Sequence, residues 1–332
     1  MKFEQFSKQE INNLYSQISK GWNDRLAHVF RVYNLCKEFI KKYPRANKKI
    51  LLTSALLHDI GHAREGEHSL NGSKMAIKIL KNKDFTSEEI LKISECIKTH
   101  SVRNEKTPLS IEGKILSDCD RLDVINIDTW LSVVNSKINK GTEIKKAFDE
   151  CIEWEKEWLS LGTRFFTEYG KEKYIKTKNN KKIIINKTIK LNLKKIRRGV
   201  LIFLFNKSYD KILLVKRSKF EEWGVIAGKN EGGEDFIRTA VRELKEEVGL
   251  NRFLFYFIPS KISIKYNKKN KSLDILYNFC LIEKKGDHPK IKNKEEIDGL
   301  CWFDINRAPI SAMRLKELHE NLNYIRNQKF KN

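Results

Sequence analysis

Three glutamates, Glu243, Glu246 and Glu247, sit in the string GKNEGGEDFIRTAVRELKEEVGL at a spacing suited to holding a hard cation. Residues 235–248 are strong helix formers without Gly or Pro, which predicts a helix. On it Glu243 and Glu247 share a face one turn apart, with Glu246 beside them. Carboxylates this close repel, and one or more Mg²⁺ or Mn²⁺ ions bound through oxygen relieve the repulsion. Gly228, Gly232 and Gly233 precede the helix, where the backbone can turn tightly and bring a carbonyl or an amide to a metal or a phosphate. Arg242 can pair with Glu234 across that loop. An ordinary solvated acidic helix would not also fix these glycines and this arginine.

A second concentration of reactive side chains lies far upstream. Five of the seven histidines, His28, His58, His62, His68 and His100, fall within the first 100 residues, so the first half needs its own account. The string LLTSALLHDIGH predicts an apolar helix ending at His58–Asp59, with Gly61 closing it. RLAHVFRVYNLCKEF carries His28 on a helix whose apolar face points inward, and ILSDCDRLD brings Asp118, Asp120 and Asp123 on another. Imidazole and carboxylate are the usual ligands of Zn²⁺, Fe²⁺, Mn²⁺ or Ni²⁺, and an adjacent His–Asp pair presents both to one ion. Two other helices must supply the remaining ligands. His68 opens a helix and His100 ends one, where a histidine can be a surface or capping group; beside a metal His62 could also meet a phosphate, since a donor there stabilises developing charge. Asp123 is expected to pair with Arg121 or a lysine.

The elements needed to position these groups divide the chain in two. Helical periodicity runs to about residue 170. Strand-like runs then bracket the glutamate helix: GVLIFLF and KILLVKR before it, two near 253–266 and 273–283 after it, and then LCWFD. An amphipathic helix is expected from Ser311 to Asn327. Between Lys171 and Arg198 stand twelve Lys or Arg and one acid, Glu172, which locates much of the +23 net charge at the junction of the halves. We expect residues 1–175 and 198–332 to form the two domains, with 176–197 a basic linker or the first strand of the sheet. Lysine and asparagine outnumber arginine, so a solvated linker is preferred to a nucleic-acid patch, although either draws polyphosphates toward the sites.

Composition excludes several classes. A 40% hydrophobic and 33% charged chain can build globular cores and is not a disordered polymer. With no apolar run of membrane-spanning length and no signal core in MKFEQFSKQE, a cytoplasmic protein without a membrane partner is expected. The six cysteines show no Cys-x-x-Cys, which fits reduced thiols. Oligomeric state is not legible.

The glutamate string resembles a Nudix box: Gly228, Glu234, Arg242, Glu243, Leu244, Glu246, Glu247, Gly249 and Leu250 match its pattern without a gap. Ala227 replaces a glycine common in that family. The resemblance implies an α/β/α sandwich with a mixed sheet, in which Mg²⁺ or Mn²⁺ bridges a diphosphate and water attacks phosphorus. It carries metal roles onto Glu243, Glu246 and Glu247, with Glu246 and Glu247 catalytic, and a carbonyl ligand onto Gly228. It also carries a helix-orienting role onto Glu234 and Arg242, and a base or extra ligand onto Glu295 or Glu296.

In the first half, the succession His28, His58–Asp59 and Asp120 resembles the HD phosphohydrolase superfamily, an all-helical bundle. The Asp-Arg-Leu context favours Asp120 over Asp118 as the last ligand. The resemblance implies Mn²⁺, Co²⁺, Fe²⁺, Ni²⁺ or Zn²⁺ at those residues, Asp59 in a catalytic role, and substrate phosphate or a second metal at His62, His68 and His100. Together the two resemblances imply a bifunctional hydrolase of nucleotide phosphates. Two further readings are a processor of RNA 5′ ends and an HD hydrolase governed by a nucleotide-sensing Nudix domain.

Overall fold

The computed structural model describes residues 2–3, 6–16, 25–101, 107–160, 164–189, 191, 193, 195–219, 222–231, 236–250, 254–267, 271–283 and 288–327. The chain forms two compact units, Met1–Leu193 and Lys194–Asn332.

In the first unit a short antiparallel pair, β1 (Lys2–Phe3) and β2 (Phe6–Ser7), leads into helices. These are α1 (Lys8–Ser16), α2 (Arg25–Lys42), α3 (Lys48–Leu57), α4 (His68–Leu80) and α5 (Ser87–Thr99). A 3₁₀ turn, Ile60–Ala63, separates α3 from α4. The helices continue with α6 (Ile111–Val124), α7 (Ile127–Asn139), α8 (Ile144–Ser160) and α9 (Glu168–Ile189). Helix α3 is buried on every side from Ile50 to Leu57 and packs against α2, α5 and α6, which makes it the axis of the bundle. Its start is fixed by Asn47, whose side chain accepts from Ile50 N, and α5 starts with a Thr86–Glu89 capping box.

The basic segment expected to be a linker or a strand divides instead. Helix α9 runs on to Ile189 before β3 (Lys195–Phe205) begins. Lys181, Ile185 and Thr188 are buried at helical spacing, and Lys181 Nζ donates to Glu155 Oε1 at 2.5 Å. Burial of that face overrides the strand preference of the Ile-rich string. The start of α9 is set from α6: Asp118 accepts from Phe166 N at 2.8 Å, Thr167 N at 2.9 Å and Thr167 Oγ1 at 2.6 Å.

The second unit holds a mixed sheet built from β3, β4 (Lys211–Arg217), β5 (Trp223–Gly224), β6 (Ile226–Lys229), β7 (Leu254–Asn267), β8 (Ser272–Ile282) and β9 (Ile297–Asp304). The strand order is β5-β4-β3-β8-β7, with β6 on β3 and β9 on β4; among the described residues only β3 and β8 pair in parallel. Alternation sends Leu201, Phe203 and Phe205 to the face covered by Leu318 and Leu322 of α11 (Ala312–Asn327). Phe236 of α10 (Phe236–Val248) stacks on Tyr277, on the opposite face from Leu276 and Cys280. The unit is therefore an α/β/α sandwich. Among the described residues no helix is long and apolar enough to cross a membrane.

Replacing Asp118 with Ala leaves buried donors at the start of α9 without an acceptor. It should lower the unfolding free energy of the first unit by about 2 kcal/mol, read by urea titration with circular dichroism, without changing the metal content of the folded protein.

Candidate metal centres

Four elements of the first unit aim side chains at one point. Arg25, His28 and Arg31 recur every three residues along α2, and Asp120 and Asp123 do so on α6. His58 caps the end of α3, and Asp59 precedes the 3₁₀ turn. His28 Nε2 lies 3.1 Å from His58 Nε2, 3.2 Å from Asp120 Oδ1 and 3.6 Å from Asp59 Oδ2. His58 Nε2 is 3.7 Å from Asp120 Oδ1 and 3.8 Å from Asp59 Oδ1.

The far side of each ring is already committed. His28 Nδ1 meets Asp123 Oδ2 at 2.7 Å, and His58 Nδ1 meets Ala55 O at 2.9 Å. When both Nδ1 atoms carry the proton, both Nε2 lone pairs face each other and two carboxylates, an arrangement of acceptors that calls for a cation. Asp123 is fully buried and is itself held by Arg31 through Nε at 2.6 Å and Nη2 at 2.9 Å. It does not pair with Arg121 or a lysine as the sequence suggested; α6 turns it toward α2, and the Arg31 guanidinium holds its pKa down at about 2 against the effect of burial.

Protonation shows the same demand. Burial alone would lower the His28 pKa, but hydrogen bonds to Asp120 and Asp123 raise it to about 10. Burial, with His100 and His28 adding to it, takes His58 down to about 4. Asp59 is buried and Asp120 half-buried, yet neighbouring histidines keep both below the usual carboxylate range, and Arg25 Nη1 donates to Asp59 Oδ2 at 2.8 Å.

The other three histidines gather on the second oxygen of Asp59. Its Oδ1 is 3.5 Å from His62 Nε2, 3.9 Å from His68 Nε2 and 4.0 Å from His100 Nε2. Ligand atoms of His28, His58 and Asp120, of His58, Asp59 and His100, and of Asp59, His62 and His68 form three clusters, each within 4.8 Å. His100 Nδ1 is spent on Ile97 O at 2.5 Å, and its Nε2 is buried with no hydrogen-bond partner among the described residues. Gly61 makes the convergence feasible: a Cβ there would lie 1.9 Å from His68 O and 2.4 Å from Gly72 N, so only glycine lets the turn close on α4. Asp118 lies elsewhere, at the start of α9.

In the second unit α10 carries Glu243 and Glu247 inward, both buried, and Glu246 outward, its side chain 55% exposed. Gly228 on β6 touches the Glu243 carboxyl so closely that a Cβ would sit 1.8 Å from it. Arg242 Nη1 bridges Glu243 at 2.8 Å and Glu246 at 3.0 Å, while its Nη2 donates to Lys229 O. Glu234 lies outside the described residues. Arg217, at the end of β4, bonds Glu247 at 2.6 Å and reaches Glu296 at 3.8 Å. Glu295 is exposed before β9. Burial raises Glu247 to about 7 despite Arg217, and its Oε2 is buried with no hydrogen-bond partner among the described residues. Two arginines neutralise part of a carboxylate cluster that still has unused acceptor capacity, as a cation site requires.

Family models match both units: an HD domain over residues 25–125 and a NUDIX domain over 195–326. The chain joins an HD domain to a Nudix domain. It is 32% identical over 104 residues to the mRNA-decapping enzyme subunit 2 and the m7GpppN-mRNA hydrolase of Saccharomyces cerevisiae, a stretch covering 31% of this chain and 10% of either relative. The chain thus spans about a tenth of the length of these curated relatives. Similar solved structures include an HD superfamily hydrolase from an uncultured Thermotogales bacterium, 23% identical with a TM-score of 0.39, covering 54% of this chain and 90% of that one. A NUDIX hydrolase from Clostridium perfringens is 20% identical with a TM-score of 0.33, covering 39% and 97%.

Arg25, Arg31 and Arg217 did not stand out in the sequence. The three-residue spacing of Arg25 and Arg31 from His28 is the signal that could have found two of them; Arg217 at the end of KILLVKR carries no such signal. Asp123→Asn keeps the size of the His28 partner but removes its charge. It should weaken binding of Mn²⁺ to the HD domain by about 10- to 100-fold, measured by metal titration of the full chain.

Proposed function

We propose that both domains are active, metal-dependent hydrolases of nucleotide phosphates. The acceptor-only cage around His28 Nε2 and His58 Nε2 is the observation that carries this reading for the HD domain. His28, His58, Asp59 and Asp120 hold a divalent cation, for which Mn²⁺, Co²⁺, Fe²⁺, Ni²⁺ and Zn²⁺ are the candidates. His62, His68 and His100, expected as phosphate contacts or second-metal ligands, surround Asp59 Oδ1 as a second cation position would, with Asp59 shared between the two. Bound cations supply an acidified water and neutralise phosphoryl oxygens. Asp59 handles the proton released when a phosphoester or phosphoanhydride is cut, and Arg25 keeps it ionised for that task.

In the Nudix domain Glu243, Glu246 and Glu247 hold Mg²⁺ or Mn²⁺, with the Gly228 backbone brought up beside Glu243. Arg217 positions Glu247 and is the nearest link to Glu296, the better placed of the two expected extra acids. The preferred substrate is a nucleoside triphosphate or related diphosphate, cut to a monophosphate, which the HD centre could then dephosphorylate. A second reading is RNA 5′-end hydrolysis, favoured by the likeness to the yeast decapping enzyme.

A panel of nucleoside mono-, di- and triphosphates and a 5′-triphosphate RNA, incubated with Mg²⁺, Mn²⁺ or Co²⁺, tests these readings. Glu247→Gln should abolish cleavage of triphosphate while sparing phosphoester cleavage; Asp59→Ala should do the reverse and leave monophosphate to accumulate. Chelation should stop both. If Asp59→Ala yields the parent's final product from triphosphate, the two-step scheme is wrong.

A further inference from the structure

Arg121 follows Asp120 on α6 but belongs to a different face of that helix. Only 5% of it is exposed. Among the described residues its guanidinium donates to one acceptor, Ser117 Oγ at 2.5 Å, and its Nε is buried with no hydrogen-bond partner. The flat face of the group lies 5.1 Å from the centroid of the Phe166 ring, which Arg164 approaches to 5.8 Å. Burial lowers its pKa even though Asp120 and Asp118 pull the other way. Asp118 is engaged instead with the start of α9, accepting from Phe166 N, Thr167 N and Thr167 Oγ1. A buried guanidinium with one hydrogen bond is costly unless an anion completes it.

Its position says which anion. Ser117 Oγ, the acceptor for Arg121, donates in turn to His100 O at 2.9 Å. Arg121 is thereby tied, through Ser117, to the backbone of His100, whose ring faces Asp59 Oδ1. We propose that Arg121 is the oxyanion anchor of the HD centre, binding a phosphoryl oxygen of the substrate on the His100 side, with Phe166 holding the guanidinium in plane. The planar fork suits two oxygens of one phosphoryl group. This assignment rests on the reading of the HD domain as a phosphohydrolase.

The test uses the full chain carrying Glu247→Gln, so that the Nudix centre is silent, loaded with Mn²⁺. Inorganic phosphate is the probe, titrated by calorimetry, and manganese content is measured in parallel. Arg121→Gln should weaken phosphate binding by about 10-fold or more with manganese content unchanged, and Arg121→Lys should recover part of the loss. On a phosphoester the same change should raise KM more than it lowers kcat. Unchanged phosphate affinity in folded Arg121→Gln, or no phosphate binding by the parent, overturns the proposal. Should Arg121→Gln not fold, Arg121→Lys decides: phosphate should raise its Tm less than it raises the parent's, and an equal rise overturns the anchor. Arg121-dependent phosphate binding without phosphoester turnover would instead sink the hydrolase reading and leave the anion site standing.

Discussion

Two imidazole nitrogens 3.1 Å apart, each with its opposite nitrogen already bonded, impose the constraint on which the first unit is organised. Lone pairs so placed repel, and the carboxylates of Asp59 and Asp120 add to the negative field rather than relieve it. Everything around the point keeps the arrangement from relaxing. Asp123 and Arg31 clamp one ring, a backbone carbonyl of α3 holds the other, and α3 itself is buried on every side. Hydrogen bonds to Asp120 and Asp123 favour a proton on His28, which is why its pKa lies far above those of His58 and His68.

The Nudix domain meets the same problem with different means. Its acids come from one helix, so two of them cannot avoid each other, and arginines stand in for the missing charge: Arg217 for Glu247, Arg242 for Glu243 and Glu246. Burial still wins at Glu247, whose carboxyl is pushed up to about 7 and keeps one oxygen unpaired. The HD cage rests on histidines that can lose their charge, whereas the Nudix cluster rests on guanidiniums that cannot. The proposed cation would therefore have to rearrange Arg217 and Arg242 in one domain, and in the other displace the His28 proton beside an Asp59 that Arg25 already holds.

Much of this was legible in the sequence because short-range spacing carried it. The helices bearing His28, Asp120 and Glu243 follow from periodicity, and the strands flanking the Nudix box follow from apolar runs. What escaped depends on contacts across many residues. Asp123 was expected near Arg121, but its partner Arg31 lies 92 positions away. Residues 176–189 read as a linker or strand, yet a buried Lys181–Glu155 pair and a cap from Asp118 make them helical. Glu246 does lie beside Glu243, as spacing implied, but the Arg242 guanidinium that bridges the two could not be read from spacing.

The string SDCDRLD shows how a single helix assigns chemistry by phase. Successive residues step about 100° around α6, so Asp120 and Asp123 fall on the sector facing α2. Asp120 meets His28 Nε2 there and Asp123 meets His28 Nδ1. Ser117 and Arg121, one turn apart, occupy the next sector and reach the His100 carbonyl and Phe166. Asp118 points the opposite way and fixes α9. Three aspartates of one chemical type thus become an open-site ligand candidate, a ring-orienting base and a helix cap. Gly170 closes the set, since a Cβ there would lie 2.3 Å from Asp118 Oδ2. A register slip of one residue in α6 would bring Cys119 or Arg121 to the place of Asp120 and Leu122 or Val124 to that of Asp123, leaving His28 without either partner, so the packing of α6 against α2, α3, α5 and α9 is also what holds the centre's chemistry in place.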